Sequence, residues 1–188
     1  MYTGSNKTAL SSQQQIAEAF VSLLENRAYS SISISEICKK AGVSRQTFYS
    51  LFASRENIIS YVLEKKHGYD PGEKCSRTAV SLAELSTSCA VYITKKKHVL
   101  SLLVRNDIIY LMHESLYTSF LSCRCFLPAR SESERIYCAE FFAGGLSAIA
   151  KTYIQQGAEE SAEELERIIC RLFSGAFFKG AAAQRSPA

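Results

Sequence analysis

The run from Ser33 to Phe52 leaves the chain little conformational choice. Ser33 stands three residues before Glu36, the spacing at which a hydroxyl caps a first-turn amide while the carboxylate reaches back to the cap. A helix over Ile34 to Ala41 follows, and Gly42 directly after it can take the left-handed backbone that closes a helix without a Cβ penalty. Val43 fills the corner, and Ser44 caps a second short helix from Arg45 to Phe52. Two short helices joined by a tight glycine turn form a helix-turn-helix, a shape whose second helix fits a DNA major groove.

The residues of that second helix sort by face. Phe48 and Phe52 lie four apart and turn inward with Val43, which leaves Arg45, Gln46, Thr47, Tyr49 and Ser50 toward solvent. Arg45 and Gln46 sit at the helix N-terminus, where arginine pairs with guanine and glutamine with adenine, so they are expected to read bases. Thr47 and Tyr49, with Arg55 and the capped amides at Ser33, are expected to grip phosphates, and Ser44 and Ser50 complete the DNA-facing set.

Flanking segments supply the rest of a small head. Ser12 to Asn26 carries Ile16, Phe20, Leu23 and Leu24 on one stripe, the pattern of an amphipathic helix packed on a core. After the break at Ala53-Ser54, with Ser54 as cap, Ile58, Ile59, Val62 and Leu63 give another apolar face to about Lys66. His67 to Lys74 contains Gly68, Pro71 and Gly72, so residues 1–66 are expected to form the DNA-binding head and 67–188 a second domain. Charge tilts the same way: residues 1–67 hold eight Lys and Arg against five Asp and Glu, an excess of three out of the chain's net +4. A basic N-terminal third suits a polyanion partner.

The body reads as more helix. Thr78 to Thr94 carries Leu82, Leu85, Cys89, Tyr92 and Ile93, and Lys95 to Lys97 marks an exposed turn before a short apolar helix ending near Arg105. Asn106-Asp107 breaks that helix and opens another that stops before Pro128. The last two helices run from Arg135 to Gln156, ending at Gly157, and from Ser161 to about Lys179, the latter opened by a capping box of Ser161 with Glu164. Both carry apolar residues beyond one stripe, which requires burial on two sides. In a chain this small a second subunit supplies the second side, and Phe142, Leu146, Ile149, Tyr153, Leu165, Ile168, Ile169, Leu172 and Phe173 are expected at a two-fold, four-helix interface of a homodimer. Tyr92, Tyr110, His113, Tyr117, Phe120 and Phe141 are expected to line an effector pocket, although plain core packing accounts for the same aromatics.

Composition sets the outer limits. With 3 Pro, 9 Gly and no alternating apolar-polar stretch, the chain reads as all-α: a three-helix head plus a helical-bundle domain for ligand binding and dimerisation. At 47% apolar and 21% charged residues it can bury a core without disulfides or a metal. No apolar run approaches the roughly 18 residues that span a bilayer, and the start lacks a signal pattern, so a soluble cytoplasmic protein with no membrane partner is expected. Seven cysteines at irregular spacing suit reduced thiols, and Cys123-x-Cys125 near Cys138 is read as small buried apolar side chains, since the gap is not that of common zinc sites. No cysteine stands in a recognisable arrangement with a histidine and an acid, and no glycine-rich phosphate loop occurs; no enzyme, cofactor or metal site is expected.

Taken in order, Ser33-Ile34-Ser35-Glu36-Ile37, Ala41-Gly42-Val43-Ser44, Thr47-Phe48-Tyr49, Phe52, Ser54-Arg55-Glu56 and Ile58 resemble the N-terminal pattern of the TetR/AcrR family over about residues 10–65. The resemblance implies a homodimer on a palindromic double-stranded DNA operator, with a C-terminal domain that takes up an unknown small-molecule effector and then releases DNA. It also implies that Ser33, Arg45, Gln46, Thr47, Tyr49 and Arg55 match positions that commonly touch DNA. Leu51 departs from the pattern, standing where a histidine or another polar or aromatic residue is frequent beside the tyrosine. Two functional readings follow: a repressor released by an effector, or a DNA-binding regulator whose body docks a protein partner or co-activator and takes up no small ligand.

Overall fold

The computed structural model describes residues 1–64, 81–122 and 131–175, and these are helical with no strand among them. In chain order the helices are α1 (Lys7–Asn26), α2 (Ile34–Ala41), α3 (Arg45–Leu51), α4 (Arg55–Glu64), α5 (Leu82–Lys95), α6 (Lys97–Arg105), α7 (Tyr110–Ser122), α8 (Glu132–Gln155) and α9 (Ala162–Phe173), with a 3-10 turn at Tyr29–Ser31. The linker read at His67 to Lys74 lies outside the described residues.

Capping residues fix most of the boundaries. Helix α1 begins at Lys7, five residues before the expected start, because the Asn6 side chain accepts from the amides of Thr8 and Ala9. An apolar stripe cannot reveal that first turn, which is almost wholly exposed. Helix α8 likewise starts at Glu132, ahead of Arg135, where Ser131 accepts from the Glu134 amide. The expected boxes at Ser33 with Glu36 and at Ser161 with Glu164 form, and a third joins Ser81 to Glu84 ahead of α5. Gly42 takes φ +68° and ends α2 as its sequence position requires.

The lysine triplet differs from its reading as a solvated turn. Lys96 is only 8% exposed, and the Lys97 ammonium donates to the carbonyl of Ala158 at 2.9 Å. Long methylene stems bury readily while the charged head finds an acceptor, a possibility that charge density alone hides.

The chain divides into two compact units, Met1–Lys65 with Ser101–Ser115, and Lys66–Leu100 with Leu116–Ala188. Segment Ser101–Ser115, assigned by the sequence to the body, clusters with the head. Arg105 explains part of this, since its guanidinium donates to the carbonyls of Leu24 and Glu25 at 2.6 and 2.7 Å, closing the C-terminal end of α1. The first unit's interior holds Ile16, Phe20 and Leu24 of α1, Ile37 of α2, Phe48 and Leu51 of α3, and Ile58, Ile59 and Leu63 of α4. In the second unit α9 packs along α5 through Leu165 and Ile169, while α8 buries Ala139, Ala143, Leu146 and Ala150. The Phe173 ring lies where a Cβ on Gly145 would sit, 2.8 Å from that point, and stacks on Phe142 at 4.8 Å.

Two outcomes follow for stability. Gly42→Ala should cost about 1 kcal/mol in urea unfolding, because an alanine pays for the left-handed backbone even though the space around it is open. The hydrogen bond from Arg27, with two more from Ser33, holds the Glu36 carboxyl down to about 2, below its ordinary 4.5. A depressed folded-state value stabilises the fold above the unfolded value, and that contribution disappears as pH falls through the folded one. The urea midpoint should therefore drop between about pH 5 and pH 2, and Glu36→Gln should flatten part of that slope. Identical pH profiles for the two proteins would count against it.

Candidate nucleic-acid interface

Helix α3 is seven residues long and is held at both ends. Ser44 Oγ accepts from the Thr47 amide at 3.0 Å and shares a hydrogen bond with the Thr47 hydroxyl at 2.8 Å, and the Phe52 amide donates to the Phe48 carbonyl at 2.8 Å. Phe48, Leu51 and Phe52 are buried, with the two phenyl rings 6.0 Å apart. The opposite face presents Arg45, Gln46, Tyr49 and Ser50 as exposed side chains, with Thr47 half-buried. Arg45 and Gln46 make no hydrogen bond or ion pair to any described residue, so their donors and acceptors stay available. Tyr49 is 52% exposed and sets its ring edge-on to Phe48 at 5.5 Å, which fixes the direction of its hydroxyl.

Beside this face lies an open depression of about 430 Å³, lined by Ser30 to Ser35 together with Arg45, Tyr49 and Arg55. Four of the predicted DNA-facing residues, Ser33, Arg45, Tyr49 and Arg55, meet there; Ser44, Gln46, Thr47 and Ser50 stand outside it. The depression backs onto the first turn of α2, whose positive dipole end suits an anion. Several predicted hydroxyls also have structural duties. Ser33 Oγ caps α2 and donates to Glu36, and Ser50 Oγ donates to the Thr47 carbonyl at 2.8 Å.

Arg55 differs from its reading as a simple phosphate grip. Its Nη1 donates to the carbonyls of Tyr29, at 3.0 Å, and Ile32, and its guanidinium lies over the Tyr29 ring, 4.4 Å from the centroid. Tyr29, which is not among the residues expected to face DNA, is the hub of this corner. Its phenol donates to Glu56, its ring meets Phe20 edge-on at 6.3 Å, and its amide donates to Asn106 Oδ1 at 2.8 Å. Burial, and then the bond to Glu56, hold the phenol above its ordinary range. Burial pushes Glu56 up, but hydrogen bonds from Tyr29 and Ser54 outweigh it and leave the carboxylate below its ordinary range. The signal available in the sequence was an aromatic residue alone in a small, polar turn.

Leu51 does not face outward as a replacement for a phosphate-gripping residue; it is part of the core. Its carbonyl accepts from the Tyr2 amide at 2.9 Å, and the Tyr2 carbonyl in turn accepts from the buried Gln13 side chain at 3.0 Å.

The other predicted residues are dispersed. Tyr110 and His113 belong to the first unit, and Tyr92, Tyr117, Phe120 and Phe141 to the second. Phe120 is buried, whereas Tyr110 and Phe141 are exposed, Phe141 at 64%, so neither lines an interior cavity of its own unit. Of the residues expected between subunits, Leu146, Tyr153, Leu165 and Ile169 are interior to the chain itself; Ile168 and Leu172 are exposed, and Phe142, Ile149 and Phe173 are half-buried. A helix apolar on two faces does not say which one its own neighbours cover. Ile136, Tyr137 and Phe141 on α8, with Ile168 and Leu172 on α9, are the large apolar side chains exposed on these two helices among the described residues. Cys38, Cys89, Cys138 and Cys170 are free thiols, and burial pushes that of Cys89 up to about 12. Cys75, Cys123 and Cys125 lie outside the described residues, among which no cluster of three His, Cys, Asp or Glu could hold a metal and no helix is long and apolar enough to cross a membrane.

The comparisons with known proteins converge on the same helices. Residues 16–62 match the family described as "Bacterial regulatory proteins, tetR family". The chain is 40% identical over 58 residues to the "HTH-type dhaKLM operon transcriptional activator DhaS" of Lactococcus lactis subsp. lactis (strain IL1403), covering 31% of each. It is 38% identical over 53 residues to the "Uncharacterized HTH-type transcriptional regulator YwcC" of Bacillus subtilis (strain 168), covering 28% of this chain and 24% of that one. The matches thus span about a third or less of these curated relatives' own length. Among solved structures, Lin0861 from Listeria innocua superposes with a TM-score of 0.74 at 16% identity, covering 95% of this chain and 96% of its own. The "Dihydroxyacetone kinase operon activator DhaS" gives 0.52 at 23% identity, and a TetR transcriptional regulator from Streptococcus agalactiae 2603V gives 0.56 at 18%, each covering 88% of this chain and 95% of its own. These likenesses show a shared fold, and residues 16–62, spanning most of α1 to α4, match the tetR family of bacterial regulatory proteins.

Proposed function

We propose that the chain is a sequence-specific DNA-binding transcription regulator that acts in the cytoplasm as a homodimer on a palindromic double-stranded operator. The observation that carries this reading is the exposed pair Arg45 and Gln46, without a hydrogen bond to any described residue, at the N-terminal end of α3 beside the open depression lined by Ser33, Arg45, Tyr49 and Arg55. With α3 in the major groove, Arg45 and Gln46 present the donor and acceptor patterns that guanine and adenine edges complement. Ser33, Tyr49 and the exposed side of Arg55 then meet phosphates and set the register of the helix. Ser44 and Thr47 hold the helix start in place.

Residues 1–66 serve as the DNA-binding head, with Ser101–Ser115 clustered onto them, and the rest of 67–188 as the sensing and dimerising body. The exposed set of Tyr137, Phe141, Ile168 and Leu172 is where a second copy would be covered, because aromatic and aliphatic side chains at this exposure gain from leaving water. On the first reading a small-molecule effector bound in the body changes the spacing of the two heads and releases DNA, so that the protein represses. In the second reading the body docks a protein partner or co-activator; the relative DhaS is described as an operon activator, which speaks for weighing a role other than repression. Mass analysis of the purified protein separates the two, a bound metabolite supporting the first and a co-purifying protein the second.

Sequencing the genomic fragments that the purified protein retains should yield a shared inverted repeat. On that repeat Arg45→Ala or Gln46→Ala should lose about 1–3 kcal/mol of discrimination at one base pair, while Tyr49→Phe weakens all sequences alike. Equal retention of every fragment by wild type and variants would overturn the reading. Phe141→Asp with Ile168→Asp should convert dimer to monomer in sedimentation, and an unchanged mass would remove this face from the interface.

A further inference from the structure

Asn106 stands 77 residues from Tyr29 in sequence, yet its side chain is committed to the corner that builds the depression beside α3. Oδ1 accepts from the Tyr29 amide at 2.8 Å, and Nδ2 donates to the Leu102 carbonyl at 2.9 Å, so both ends of the amide are used. The backbone around it is equally constrained. The Ile108 amide donates to the Leu103 carbonyl at 3.0 Å and the Asp107 amide to Val104 at 3.2 Å, while Asp107 takes φ +56°. That is the doubly bonded left-handed ending of a helix, here with an aspartate where glycine is usual and with the following Ile108 buried beneath it. Next to it, Arg105 is tied to the last carbonyls of α1.

The contacts form a chain from Asn106 to Arg55. Asn106 fixes the Tyr29 amide, which leaves the Tyr29 and Ile32 carbonyls and the Tyr29 ring turned toward the Arg55 guanidinium. Arg55 forms one wall of the depression that Ser33, Arg45 and Tyr49 share. We propose that Asn106, held by the left-handed Asp107 corner, is a positioning residue for DNA binding: it sets the phosphate-facing wall formed by Arg55 without itself meeting the nucleic acid. This rests on the DNA-binding reading above and adds to it a control point on the far side of the Tyr29 turn.

The test is titration of wild type, Asn106→Ala and Asn106→Asp against a DNA fragment that the wild-type protein retains, over a range of salt concentrations. Asn106→Ala removes the acceptor for the Tyr29 amide and should weaken binding about tenfold, with the slope of log affinity against log salt falling by about one phosphate contact. Asn106→Asp keeps a carboxylate oxygen toward that amide and should recover most of the affinity and the full slope. In an Arg55→Gln background the alanine variant should add little, because the residue through which it acts is already gone. A purely structural loss would lower the fraction of active protein while leaving the salt slope unchanged, and that result would overturn the proposal. So would an alanine variant that binds like wild type, or additive effects with Arg55→Gln. Failure of the wild-type protein to retain any DNA would instead overturn the DNA-binding reading on which this one stands.

Discussion

A seven-residue helix has no independent existence in water, since nucleation costs more than so few hydrogen bonds return. Helix α3 persists because Phe48, Leu51 and Phe52 are all withdrawn from solvent, and a buried phenylalanine is worth ~3–5 kcal/mol against truncation. Every property of the exposed face depends on that anchoring. The same three side chains that hold the helix down decide which residues are left to point away from it.

Around this anchor the head is assembled from polar contacts that fix directions more than they add stability. A guanidinium over a tyrosine ring with two backbone carbonyls beneath it is a geometry lysine cannot reproduce. Tyr29 gathers contacts from α1, α4 and the segment after α6, all within the first unit, so the turn between α1 and α2 is specified from three sides. The depression therefore owes its form less to the residues that line it than to those behind them.

The parts legible in the sequence were those governed by local chemistry. Capping boxes, the glycine corner and the i, i+4 phenylalanine pair each act within a few residues, and each is found where the sequence put it. Start points failed where a polar first turn precedes the apolar stripe, as at Lys7. Long-range roles were invisible: nothing in the sequence joins Tyr29 to Asn106 or Tyr2 to Leu51. Ambiguity also remained where a helix carries two apolar faces. The stripe with Leu165 and Ile169 is the inner one and that with Ile168 and Leu172 the outer, a distinction set by the partner helix α5 and not by the residues themselves.

The docking of Tyr2 carries a practical consequence. Its amide meets the final carbonyl of α3 while its phenol accepts from the Asn6 amide at the start of α1, so the first few residues are strapped across the base of the reading helix. Removing Tyr2 would leave the last carbonyl of α3 and the buried Gln13 side chain without these partners.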